Sequence, residues 1–101
     1  MIYHKKYLVV KLLIENVCKH ELMGFYRPLA YLKGIKNYCT ECQIELIKKA
    51  IEPGESLVIN AVLLAPHGFG EHLQQGSLLH LQNGLDIEAK AVVLEIVGYK
   101  S

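Results

Sequence analysis

The sequence predicts an all-β domain: a six-stranded antiparallel barrel closed on itself. Three observations predict it. Apolar residues alternate with period two along most of the chain, and many of them are β-branched. Turn-forming residues punctuate these segments at Tyr26-Arg27-Pro28, Pro53-Gly54-Glu55, Pro66, Gly76 and Gly84. The chain has 101 residues, 51% of them apolar, with no linker, repeat or low-complexity stretch. A chain of this length buries roughly 60–65% of its extended surface, enough for one core. One domain over 1–101 is expected, with its core from about 5 to 98.

The first strand is expected over 5–15. Leu8, Val10, Leu12 and Ile14 take one face, and Tyr7, Val9, Lys11, Leu13 and Glu15 take the other. Both faces carry apolar groups, so the outer one is a candidate contact surface. The second is expected over 24–33, where Gly24 and Pro28 disfavour helix and Pro28 suits an early or edge position. Gly34 to Glu41 reads as a polar loop. The third strand runs 42–48, with Cys42, Ile44 and Leu46 on one face. Glu41 to Ala50 alone also fits a helix, but the turn that follows favours a strand. There Pro53 presets φ and Gly54 accepts positive φ, as in a type II turn.

The fourth strand is Ser56 to Leu64, with Leu57, Ile59, Ala61 and Leu63 alternating and Pro66 ending it. His67 to Gly76 reads as a loop. The fifth strand is Ser77 to Gln82, with Leu79 and Leu81 inward. Asn83-Gly84 is the strongest hairpin signal. The last strand is Ile87 to Val97, and Gly98 to Ser101 is a tail. Closure into a barrel removes the edges that so many aliphatics would expose.

Composition bounds function. The net charge is +1, from 11 basic and 10 acidic residues, which is no general electrostatic grip on nucleic acid. Lys48-Lys49 and Lys33/Lys36 read as solvated strand ends, or as a local patch. Three cysteines, an odd number, point to reduced thiols rather than a disulfide scaffold. The longest unbroken apolar run is Ala61 to Ala65, far short of the roughly 20 residues of a membrane span. Met1 to Tyr7 lacks the pattern of a secretory signal. The expected location is the cytoplasm.

Gly24-Phe25-Tyr26-Arg27-Pro28, Ile44-Glu45-Leu46, Pro53-Gly54-Glu55, Leu63-Leu64-Ala65-Pro66 and Gly76 to Leu81 with Gly84 resemble, in order and spacing, one known domain. It is the third, C-terminal β-barrel domain of elongation factor Tu, and the likeness runs from about Lys5 to Gly98. The resemblance implies a barrel of the translation-factor type. No G-x-x-x-x-G-K-[ST] phosphate loop is present, so no nucleotide is expected. In that family the domain touches the T-stem of aminoacyl-tRNA, a nucleotide-exchange factor and its own GTPase domain. The tRNA contacts lean on two Gly-Gly-Arg-type loops. Here the first is shortened to Asn16-Val17-Cys18-Lys19-His20-Glu21 and the second reads Gly84-Leu85-Asp86, without arginine.

The expected function is therefore a non-enzymatic protein-interaction module. It would bind a protein that recognises that domain, as a decoy, an immunity protein or a translation accessory. The alternatives are a module that keeps part of the tRNA surface and, third, a zinc-binding protein. Tyr26, Arg27, Phe69, His67 and His72 are the candidate partner-binding residues. Arg27 either grips a phosphate or carboxylate of a partner or braces a loop through Glu45 or Glu55. Phe69, between Gly68 and Gly70, either anchors its loop on the barrel end or faces a partner. No cofactor is expected.

Cys39-Thr40-Glu41-Cys42 is a C-x-x-C, and with His67 and His72 it forms the one candidate zinc set, if the loops meet at one end. No metal is expected there, because the gap from Cys42 to His67 exceeds compact zinc-finger spacing. Cys18 and His20 read as a surface loop, since nothing nearby in sequence supplies an orienting third group. His80 is expected to alternate out of the core.

Overall fold

The structure, a computed structural model, describes residues 7–100. The expected strand start at residues 5 and 6 lies outside them. The strands are β1 (Tyr7–Asn16), β2 (Leu22–Tyr26), β3 (Leu29–Leu32), β4 (Cys39–Ile51), β5 (Ser56–Leu63), β6 (Leu78–Asn83) and β7 (Asp86–Lys100). One 3₁₀ segment, Pro66–His72, follows β5. All pairings are antiparallel.

Among the described residues, seven strands replace the expected six because the second is divided. Tyr26 pairs with Ile44 and Leu29 with Glu41, so both strands advance by the same number of residues across the gap. The Cys42 amide still donates to the Pro28 carbonyl at 2.9 Å. The division falls where proline has no N–H to give the ladder. With β2 and β3 taken as one bent strand, the order closes: β3, β6, β7, β1, β5 and β4 form a ring of six.

Alternation builds the core as expected. Leu8, Val10, Leu12 and Ile14 of β1 are buried, as are Cys42, Ile44 and Leu46 of β4, and Leu79 and Leu81 of β6. Each such aliphatic contributes about 1.5–3 kcal/mol on full burial. Gly54 has φ +84° behind Pro53, the value that the third residue of a type II turn requires. The β6–β7 hairpin pairs Asn83 with Asp86, so its two loop residues are Gly84 and Leu85. Gly84 has φ +65°, which places glycine first in a type II′-like loop and leaves Leu85 in solvent.

Several boundaries differ from expectation. β4 begins at Cys39, so the polar loop is shorter. The 66–76 loop holds the 3₁₀ turns, started by Pro66. β7 continues to Lys100 because Tyr7 and Leu8 of β1 pair with Lys100 and Tyr99. No helix among the described residues is long and apolar enough to cross a membrane.

Candidate functional site

Two features stand out from the ring. The first is its seam. β4 and β5 leave the turn at 52–55 as neighbours in sequence, yet they share only two rungs, Cys42 with Leu63 and Gln43 with Val62. From Ile44 to Ile51 the other edge of β4 pairs with β2, and from Ser56 to Ala61 β5 pairs only with β1. Depressions of about 360 Å³ and about 320 Å³ lie along this seam and share Glu45 and Ile59. β4 also bulges beside it. Leu22 opposes Ile51 while Gly24 opposes Leu46, so Ile47 to Ala50 have few partners across β2. Phe25 (66% exposed), Ile47 (62%) and Val58 stand in solvent around the seam. Arg27, Lys48 and Lys49 bring three cations to its walls against the carboxylate of Glu45.

The second feature is a polar cluster where the loop after β1 meets β7, built on a short loop and a bulge. Asn16 ends β1 and is buried. Its Nδ2 donates to the carbonyls of His20 and Ile51, both at 2.8 Å. Its Oδ1 accepts from the Cys18 amide at 2.9 Å and from the Cys18 thiol at 3.0 Å. The loop 17–21 therefore curls about one amide side chain and presents Cys18 and His20 together. Val17 N–H donates to the Glu88 carbonyl at 3.0 Å and ties the loop to β7.

Glu88 sits at a β-bulge. Leu81 opposes Ala89 and Gln82 opposes Ile87, which leaves Glu88 as the extra residue. The bulge breaks the alternation and turns Glu88 inward beside Ala89, so both are buried. Glu88 is the one buried carboxylate among the described residues. Its Oε1 accepts from the Tyr26 hydroxyl at 2.9 Å, and its Oε2 lies 3.1 Å from His20 Nε2. Burial first, then the bond to Glu88, pushes the Tyr26 hydroxyl far above its ordinary pKa, so it stays a donor. Cys18 Sγ is 3.8 Å from the same His20 nitrogen.

That shared nitrogen decides what the cluster can do. A nucleophile–base–acid relay uses two different ring nitrogens, one for each partner. Here thiol and carboxylate both face Nε2, which is not the geometry of such a relay. Sγ, Nε2 and a carboxylate oxygen instead converge within 4.8 Å of one another, which is how ligands surround a common cation.

The residues singled out in the sequence fall in several places. Tyr26 joins both features: its ring lines the seam and its hydroxyl holds Glu88. Arg27 lines the seam, exposed, and no ion pair to Glu45 or Glu55 forms among the described residues; Glu55 Oε1 accepts from the Glu52 amide instead. Phe69 is buried and meets Tyr38 edge-on with ring centroids 5.2 Å apart, so it packs as an anchor under its loop. His67 and His72 are exposed, and His67 lies beside Tyr38 at 6.1 Å. His80 is half-buried.

Cys39, Cys42, His67 and His72 do not gather. Cys39 and Cys42 both lie on β4, three positions apart, and an odd spacing on a strand sends side chains to opposite faces. Cys42 enters the core, where burial pushes its thiol up to about 12. The cluster that does gather, Cys18, His20 and Glu88, takes its third member from a strand 68 positions downstream of the histidine, visible only once β7 is laid beside β1.

No protein-family model matches the chain, and no sequence among the curated proteins matches it significantly.

Proposed function

We propose that this chain is a closed β-barrel of the translation-factor type that acts as a cytoplasmic, non-enzymatic protein-interaction module. Its docking place is the seam between β4 and β5, and its occupant is an extended, acidic segment of a partner protein. The observation that carries the reading is the loss of pairing after two rungs. Two strands stand side by side with main-chain edges that no neighbouring strand uses. Such edges accept an added strand through backbone hydrogen bonds, with alternate side chains reaching pockets on either side.

Charge and shape choose the partner. Arg27, Lys48 and Lys49 against Glu45 favour acidic residues. Phe25, Ile47 and Val58 offer exposed apolar anchors for alternate side chains. The resemblance to the third domain of elongation factor Tu adds the kind of partner: a protein that grips that domain.

Selection of peptides from a random display library on the immobilised chain tests the seam. The expected binders alternate apolar and acidic residues, and they bind at least ten-fold more weakly to an Ile47→Asp, Val58→Asp double variant. Peptides without acidic residues, or equal binding to the variant, would overturn the docking site. Competition with elongation factor Tu for a protein bound to its third domain tests the other half. A chain that never competes is not a mimic of that domain.

A further inference from the structure

We propose that Cys18, His20 and Glu88 form a binding site for a zinc-class divalent transition metal. This rests on the polar cluster alone and is independent of what docks at the seam.

The distances fit one shared cation. With Zn–S near 2.3 Å and Zn–N and Zn–O near 2.0–2.2 Å, tetrahedral ligands stand about 3.4–3.6 Å apart. Cys18 Sγ and His20 Nε2 are 3.8 Å apart, and His20 Nε2 and Glu88 Oε2 are 3.1 Å apart. The third edge is no longer than 4.8 Å and closes by a small side-chain movement. One nitrogen facing both other donors is awkward for hydrogen bonding and natural for ligation.

The placement of the carboxyl group points the same way. Glu88 is buried, its Oε1 accepts from the Tyr26 hydroxyl and its Oε2 faces the His20 imidazole. A divalent ion among the three donors would set a positive charge beside the one buried carboxyl group of the described residues.

The surroundings are arranged as they are around metal ligands. Tyr26 fixes one oxygen of Glu88 and leaves the other for coordination. Asn16 sets the loop that presents Cys18 and His20. The thiol selects a borderline or soft ion over magnesium or calcium. His20 has a side chain 64% exposed, so the fourth coordination position opens to solvent. Three protein ligands and an open position make a site that takes water or a donor atom from a partner.

Cobalt(II) titration of the reduced, tag-free, full-length chain tests the site, followed by displacement with zinc(II). The expected result is one equivalent of cobalt, a thiolate-to-metal charge-transfer band and intense tetrahedral visible bands that zinc abolishes. Cys18→Ser removes the charge-transfer band, and His20→Ala weakens binding by more than about ten-fold. Cys39→Ser leaves the spectrum unchanged. Both loop variants are checked for unaltered far-ultraviolet circular dichroism. Absence of the band in the wild-type chain overturns the proposal. So does a band that survives Cys18→Ser or vanishes with Cys39→Ser.

Discussion

Asn16→Asp exchanges one amide nitrogen for oxygen and changes the volume hardly at all. In the folded chain that nitrogen donates to the carbonyls of Ile51 and His20, both at 2.8 Å. Aspartate turns a carboxylate oxygen toward both. The Ile51 carbonyl is buried, and losing its donor costs about 1–3 kcal/mol, while the half-buried bond to His20 is worth about 1 kcal/mol more. The expected loss is about 2–4 kcal/mol at neutral pH. For a chain of this size that lowers Tm by at least about 8 °C. The deficit depends on pH with a defined sign. A carboxyl facing two carbonyls has a folded pKa above its unfolded one. Its stabilising contribution is complete below the unfolded value and is lost as pH rises through the folded value. The gap to wild type therefore narrows in mild acid. Thermal and urea unfolding at neutral and mildly acidic pH measure it. A loss under about 1 kcal/mol, or one that pH does not alter, would refute the role given to Asn16.

Three further outcomes are expected. Phe69→Ala removes a buried ring and costs about 3–5 kcal/mol in urea unfolding; a loss under about 1 kcal/mol would mean that the ring is not an anchor. Gly68→Ala drives a methyl into the Tyr38 ring, so Tyr38 must leave its place over Phe69; thermal melting should fall by several degrees, and an unchanged Tm would contradict this packing. Cys42 should resist alkylation in the folded chain while Cys18 and Cys39 react. Its raised pKa also makes stability fall as pH climbs from about 9 toward about 12, and Cys42→Ala flattens that part of the profile.

The fold was legible where local chemistry decides it. Alternation in β1, β4 and β6 marked the residues that became core, and Pro53-Gly54 marked its own turn. The division at Pro28 was visible as a proline, but its consequence depends on β4 running alongside. The meaning of the C-x-x-C turns on where β4 starts. On a loop its two thiols converge, and on a strand they part. The Cys18 and His20 pair was visible as well, but its third member was not. Glu88 turns inward at a bulge, and bulges arise from pairing between distant segments. The seam was hidden for the same reason, since a short turn predicts a fully paired hairpin.

The two rungs at Cys42-Gln43 have a topological consequence. The same dipeptide faces the unpaired Arg27-Pro28 on its other side, where the Cys42 amide still reaches the Pro28 carbonyl. Release of those two rungs would not part β4 from β5, because the turn at 52–55 still joins them and its Gly54 amide still donates to the Asn16 carbonyl at 2.9 Å. The ring would open as a slit closed at one end, not as a strip. A covalent hinge at one end returns the two edges to each other, so closure of the ring is local and does not depend on concentration.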